Sequence, residues 1–171
     1  MVKKELSLLF IMALFSGTLL SQNEDQQGKS ETANFITGQT DRMHLQNDSL
    51  FNAAFKQEYS QYDPDQRILK KVEPEIYMTS VTIVLGTWCS DSREQVPRFY
   101  KILDNLNYNS DMIQVIGVDK NKQAGNHNIE ELRIEKVPTF IFYQNGREIG
   151  RIIETPQVTI EKDILKILEQ K

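Results

Sequence analysis

The chain has 171 residues, a formal net charge of −4 and a single cysteine. This length suits one domain with a modest extension. Charges of both signs are spread along the sequence without a basic cluster, which argues against a nucleic-acid binder, because neutralising phosphates requires grouped Lys and Arg. One cysteine rules out an internal disulfide. The two histidines, His44 and His127, lie outside any cysteine-rich spacing, so we expect no zinc site and no other metal site.

The first 21 residues have the pattern of a secretory signal peptide. Lys3 and Lys4 precede an apolar stretch from Leu6 to Leu20, which small and polar residues dilute below the roughly 20 apolar residues that a membrane span needs. No cysteine near the expected cleavage point can carry a lipid. We therefore predict cleavage near Ser21, no stable membrane insertion afterwards, and a periplasmic or secreted protein in an oxidising compartment.

Residues 22–48 are predicted to form a polar tether. Phe35, Ile36, Met43 and Leu45 are its only sizeable apolar side chains, and such a segment cannot bury enough surface to offset its ordering entropy. One short docked strand around Phe35 to Leu45 is the only structure expected there.

Residues 49–171 are predicted to form one α/β domain. The patterns first predict two helices, one behind Asp48 or Ser49 that ends before Asp63 and one over Asp65–Val72. A strand over Val81–Leu85, a helix over 91–106 and a strand over Met112–Val118 follow, and then a short helix through Ile134 that Asn128 and Glu131 cap. The chain ends with strands over Thr139–Tyr143 and Glu148–Ile153, joined by the Asn145–Gly146 turn, and a helix behind Thr159. A strand–helix–strand unit with a right-handed crossover, followed by an antiparallel hairpin, gives a mixed sheet with helices on both faces.

The single cysteine, Cys89, falls where the first predicted strand of this domain meets its helix. Unpaired N–H groups and the positive end of the helix dipole stabilise a thiolate there, and the thiolate is the reactive form of cysteine. An inert cysteine in the core is the alternative. We interpret Cys89 as a reactive thiol, because an idle free thiol is a liability in an oxidising compartment.

Four landmarks in this part of the chain resemble, in the same order, those of the thioredoxin superfamily. They are Trp88-Cys89-Ser90-Asp91-Ser92, Pro97 inside the following helix, the Val137-Pro138-Thr139 step and the Asn145-Gly146 hairpin. The resemblance covers about residues 74–171 and implies a thioredoxin-like mixed sheet flanked by helices on both faces, behind an N-terminal helical extension. That extension is similar to the N-terminal part of extracytoplasmic thioredoxin-like proteins of Gram-negative bacteria.

The resemblance implies a role for each matching residue. Cys89 corresponds to the nucleophile that attacks a substrate disulfide, and Trp88 to the aromatic residue that shields it. Pro138 corresponds to a cis-proline, and the backbone of Val137 before it to the groups that pair with the substrate strand. These three residues, Trp88, Val137 and Pro138, are therefore the expected substrate-binding set.

Two positions depart from the pattern of the superfamily. Ser92 replaces the resolving cysteine, so a complete dithiol cycle within one chain is excluded. Its hydroxyl can still hydrogen-bond a Cys89 thiolate or cap the helix. Ile83 replaces the buried acid that serves the resolving thiol, which is consistent with the loss of that thiol.

Three charged residues are candidate modulators of the site. Asp91 either opposes the thiolate by like-charge repulsion or is a favourable carboxylate in the first turn of the helix. Lys136 and Glu154 are expected on the same rim, where each is more typical of a solvated surface charge than of a catalytic group.

Two functions remain open at this point. The first is monothiol thiol–disulfide exchange through Cys89, by an isomerase or by a reductase that an external thiol reductant resolves, acting on disulfide- or thiol-containing proteins and needing no cofactor. The second is a non-catalytic peptide-binding or chaperone-like module that keeps the groove around Trp88 and Pro138. The first is favoured, because an exposed reactive thiol is costly to retain without use.

Overall fold

The computed structural model describes residues 35–170, so the predicted signal peptide, 1–21, and residues 22–34 of the predicted tether lie outside the described residues. The described chain contains a five-stranded sheet in the order β1-β3-β2-β4-β5. Its strands are β1 (Gly38–Thr40), β2 (Ser80–Leu85), β3 (Ile113–Gly117), β4 (Thr139–Gln144) and β5 (Arg147–Ile153). Strands β2 and β3 are parallel and the other neighbours are antiparallel, which confirms the mixed α/β sheet.

Helices precede and follow the strands of this sheet. Within residues 35–170, the α-helices are α1 (Arg42–Asn47), α2 (Asn52–Gln61), α3 (Gln66–Ile76), α4 (Ser90–Asn105) and α5 (Ile160–Glu169), and single 3-10 turns occupy Ser110–Met112 and Glu130–Leu132. Most of the predicted elements are present within a few residues of their expected bounds, the usual uncertainty of helix ends.

Strand β2 is buried on both faces, as its continuous apolar run predicts. Ile83 belongs to the larger core cluster, to which all five α-helices contribute side chains. In that cluster the rings of Phe99 and Phe140 stack with their centroids 4.5 Å apart. Val84 faces the opposite side, where a smaller cluster packs under the loop between β3 and β4.

The short helix predicted behind Asn128 is wrong in extent. The Asn128 carboxamide oxygen accepts the N–H of Glu130 at 2.9 Å, and the resulting turn closes one 3-10 helix that ends at Arg133, whose φ of 49° lies in the left-handed region. A local side-chain bond of this kind competes with helix propagation. The second face of the sheet is therefore covered mainly by a loop.

The described part of the predicted tether, 35–48, contains more regular structure than the one short strand expected there. Strand β1 lies within the range where one short strand was expected, and it pairs antiparallel with β3, Gly38 opposite Gly117. Helix α1 was not expected. Asp41 caps it by accepting the N–H of His44 at 2.8 Å, and Leu45 is fully buried.

A tertiary contact of Arg42 explains why this polar segment is ordered. Its guanidinium donates two hydrogen bonds of 2.8 Å to Asp104 and lies 4.9 Å from the centre of the Tyr100 ring. A bidentate pair and a cation–π contact together offset part of the ordering entropy. The composition of the segment does not indicate either the ion pair or the cation–π contact.

Two helix boundaries differ from expectation in the N-terminal part of the domain. Helix α2 begins at Asn52 rather than directly behind Asp48, because the Asp48 carboxylate accepts the N–H of Leu50 at 2.9 Å in a turn before the helix. Helix α3 continues past Pro74 to Ile76, whose side chain is fully buried. None of the helices in residues 35–170 has the length and apolarity to cross a bilayer.

Candidate thiol site

Cys89 is the residue that precedes helix α4. Its backbone is extended, its N–H donates to the carbonyl of Gly86 at 2.9 Å, and its own carbonyl accepts the N–H of Arg93 at 3.1 Å. The side chain is partly exposed. The end of β2 and the first turn of α4 thus hold the sulfur at a helix N-terminus, as the sequence predicts.

The Cys89 thiol contacts the residue that precedes Pro138, 48 positions along the chain. Its Sγ–H donates to the carbonyl oxygen of Val137 at 3.2 Å. The Val137–Pro138 peptide bond is cis, and both residues are buried. The fold therefore joins the nucleophile and the Val137–Pro138 step, the two parts of the expected site that are farthest apart in sequence.

Ser92 has a different contact from either of those expected. The residue is fully buried, and its Oγ accepts the N–H of Gly86 at 3.2 Å. This bond ties the first turn of α4 to the end of β2, so Ser92 stabilises the turn that carries Cys89. Cys89 rather than Ser92 occupies the N-cap position of α4, so the expected helix cap is wrong, while the expected bond to a Cys89 thiolate stays a prediction.

Trp88 closes the inner side of the site. Its Nε1–H donates to the carbonyl of Val118 at 2.9 Å, and its indole packs against the smaller core cluster, which includes Val84 and Val137. A Cβ added at Gly86 would lie 2.6 Å from two atoms of the indole ring. Glycine at position 86 is therefore required for the observed position of Trp88.

We expect Gly86→Ala to displace Trp88 and shift its fluorescence emission to longer wavelength, because the ring must leave its apolar surroundings. Trp88 is the only tryptophan in the chain, so the emission spectrum reports on this site alone. The control is Gly146→Ala, where an added Cβ has no atom within 4 Å. Its φ of 74° strains the hairpin turn locally, but the surroundings of Trp88 are unchanged, so the emission should keep the parent spectrum. A parental spectrum in Gly86→Ala would contradict the packing argument.

A cavity of about 390 Å³ opens beside the thiol. Its lining consists of Trp88, Cys89, Ser90, Asp91, Lys122, Glu135, Lys136, Val137 and Glu154. The three charged residues proposed as modulators, Asp91, Lys136 and Glu154, all belong to it. Pro138 and Ser92 lie buried behind this surface.

The charges on the rim are arranged around Lys136. Its Nζ lies 2.5 Å from an oxygen of Glu154, and this hydrogen bond raises the pKa of Lys136. The main-chain N–H of Glu154 also donates to the carbonyl of Pro138 at 2.7 Å, so residue 154 contacts both sides of Val137. Asp91 lies in the first turn of α4 with a carboxylate oxygen 4.0 Å from Sγ of Cys89.

Nothing in the sequence indicates that Lys122 and Glu135 lie on the rim of this cavity. Both belong to the loop between β3 and β4, and no motif determines the path of that loop past Cys89. In residues 35–170, no three His, Cys, Asp or Glu side chains are grouped so as to hold a metal ion.

Comparisons with known proteins bear on the fold and the class of protein. No family model matches the chain. It is 26% identical to mitochondrial thioredoxin O of Oryza sativa subsp. japonica over 103 residues, which cover 60% of this chain and 56% of that protein. It is 31% identical to chloroplastic thioredoxin Y of the same plant over 98 residues, which cover 57% and 51%. The chain thus spans about half the length of these relatives.

A solved structure is similar to a larger part of the chain. A protein of unknown function from Pseudomonas aeruginosa shares 13% sequence identity with a TM-score of 0.56, and the match covers 79% of this chain and 92% of that one. At this identity the likeness concerns the fold alone. The chain has a thioredoxin-like fold, and its thioredoxin relatives support a place in the thioredoxin superfamily.

Proposed function

We propose that this protein is an extracytoplasmic monothiol thiol–disulfide exchange protein that acts through Cys89. The observation that carries the proposal is the position of the thiol, at the N-terminus of α4 and in contact with the carbonyl of Val137. Its thioredoxin relatives support thiol–disulfide chemistry in general. The location outside the cytoplasm rests on the signal-peptide pattern of residues 1–21.

The proposed reaction begins with the thiolate of Cys89, which attacks one sulfur of a substrate disulfide. The substrate S–S bond breaks, a disulfide forms between Cys89 and the substrate, and the other substrate sulfur leaves as a thiolate. Formation of the Cys89 thiolate removes the Sγ–H donor from the Val137 carbonyl. That carbonyl then becomes available to a backbone N–H of the substrate.

Release of the mixed disulfide requires a second nucleophile, because Ser92 is a buried alcohol and cannot attack sulfur. The freed substrate thiolate can attack a second disulfide of the substrate, and the thiolate released there then attacks the substrate sulfur of the mixed disulfide. Cys89 leaves as a thiolate, and the substrate disulfides are rearranged without net oxidation. Alternatively, one external thiol attacks the Cys89 sulfur and releases the reduced substrate. A second external thiol then attacks the first, which frees Cys89 and leaves the two external thiols joined as a disulfide. The first route makes the protein an isomerase and the second makes it a reductase.

A non-catalytic peptide-binding module is the second candidate function. One observation favours it: the Cys89 thiol has two oxygen acceptors close by, the Asp91 carboxylate 4.0 Å from Sγ and the Val137 carbonyl at 3.2 Å. Such a module would keep the surface around Trp88 and Pro138 for binding without turnover.

We expect the parent protein to form a long-lived mixed disulfide when mixed with a peptide disulfide. Intact-mass spectrometry should show a gain of one peptide mass, lost on treatment with dithiothreitol. Cys89→Ser should show no adduct, while its thermal transition remains close to that of the parent, since the side chain is partly exposed. Absence of an adduct in the parent, with peptide binding unchanged in Cys89→Ser, would favour the binding module.

A further inference from the structure

The loop between β3 and β4, residues 118–138, is long for a connection within an α/β domain. Loops beyond about 12–15 residues with little secondary structure are uncommon, and they are usually either functional or disordered linkers. This loop is fixed to the domain on its inner side, where Ile129, Leu132 and Ile134 pack against the smaller core cluster. The carboxylate of Asp119 accepts two backbone N–H groups of the loop at 2.8 and 2.9 Å.

A surface cavity of about 700 Å³, open to solvent, lies on the outer side of the same loop. Four side-chain amides line it together with charged residues, and these amides belong to Asn121, Gln123, Asn126 and Asn128. A carboxamide both donates and accepts hydrogen bonds, as does a peptide group. This lining is therefore complementary to the backbone of an extended polypeptide.

The loop cavity adjoins the cavity beside Cys89. Lys122 and Glu135 line both of them. A chain whose cysteine is at Sγ of Cys89 can pass between these two residues into the loop cavity. At about 3.4 Å per extended residue, four residues beyond the cysteine reach about 14 Å.

We propose that the loop cavity is a second subsite that binds an extended stretch of polypeptide next to the substrate's cysteine. The proposal rests on the proposed function for the chemistry at Cys89, and it adds a substrate class. Disulfides in extended or unfolded chains are preferred over small disulfides, because only a longer chain reaches the amides of the loop.

The test uses two synthetic peptides, each with its cysteine in a disulfide with thionitrobenzoate. One is the tripeptide Gly-Cys-Gly, and the other is a nine-residue peptide of Ser, Asn and Gly with a central cysteine. Attack of Cys89 on the peptide sulfur releases coloured thionitrobenzoate, and the rate gives a second-order constant. With the parent protein, we expect the nine-residue peptide to react about tenfold faster than the tripeptide, because one or two added hydrogen bonds contribute about that much.

The double variant Gln123→Ala/Asn126→Ala removes two exposed amides from the loop cavity. It should lower the ratio of the two rate constants to about one. Gln57→Ala, an exposed amide on helix α2, is the matched control and should keep the parental ratio. A parental ratio in the double variant, or an equal fall in the control, would overturn the subsite.

The subsite can be tested separately from exchange. If neither peptide releases thionitrobenzoate from the parent, the proposed function fails. Binding is then measured by fluorescence anisotropy between the Cys89→Ser protein and a labelled form of the nine-residue peptide. In this peptide, serine replaces the central cysteine. Binding that weakens severalfold on adding Gln123→Ala/Asn126→Ala supports the subsite, and equal binding overturns it.

Discussion

Ser92→Cys is expected to reduce insulin disulfides, with an added dithiol as regenerant, about 100-fold faster than the parent. Ser92 lies one turn into α4 from Cys89, and a thiol at position 92 attacks the mixed disulfide within the same molecule. Intramolecular attack has an effective concentration far above that of an added thiol. The substitution weakens the bond between residue 92 and the Gly86 N–H, because sulfur is a weaker acceptor than a hydroxyl.

Two controls accompany this experiment. Ser92→Ala removes the same hydroxyl without adding a thiol and should stay at the parental rate. Cys89→Ser/Ser92→Cys keeps the new thiol without the nucleophile and should be inactive. Ser92→Cys at the parental rate would oppose the exchange hypothesis, because the surface would then no longer present disulfides to the thiol.

Gly117→Ala should lower the free energy of unfolding by about 1–3 kcal/mol, as overpacking against a fixed neighbour does. An added Cβ at this position would lie 2.8 Å from the carbonyl carbon of Ile36. That neighbour is backbone, so it cannot rotate away as a side chain can. The segment before β1 must therefore move from β3, and the pairing of Gly38 with Gly117 is lost.

Urea unfolding followed by circular dichroism measures this effect. The control is Gln39→Ala, which changes an exposed side chain on β1 and leaves the backbone contact in place. Its transition should match that of the parent. A parental midpoint and slope in Gly117→Ala would mean that the contact with Ile36 contributes nothing to stability.

The position of Cys89 at the start of a helix follows from the sequence for a physical reason. A continuous apolar strand that leads directly into an amphipathic helix places Cys89 at a helix N-terminus, whatever the rest of the fold. The contact between Cys89 and Val137 has no such local cause, since a separation of 48 residues has no periodic signal. Only the resemblance to the thioredoxin superfamily placed these two residues side by side.

The structural predictions that differ from the fold do so because of contacts that the composition and local patterns of the sequence do not reveal. Residues 35–48 have few apolar side chains, yet the pairing of Arg42 with Asp104 holds them to the domain. The spacing of Asn128 and Glu131 is typical of a capped helix, but Asn128 bonds the N–H of Glu130 and ends the turn early. Both outcomes depend on partners that a local pattern cannot specify.

The antiparallel direction of β1 determines where the chain enters the domain. Gly38 pairs with Gly117 at the end of the sheet where β2 also ends, and the N–H of Ile36 donates to the hydroxyl of Thr87, two residues before Cys89. The part of the chain that the structure describes thus begins next to the turn that carries Cys89. The other end of the described chain has different surroundings, because helix α5 packs against β5, with Ile167 near Gly150. A fluorescent label at residue 35 would therefore report on the surroundings of the thiol, whereas a label at the end of α5 would report on the edge strand β5.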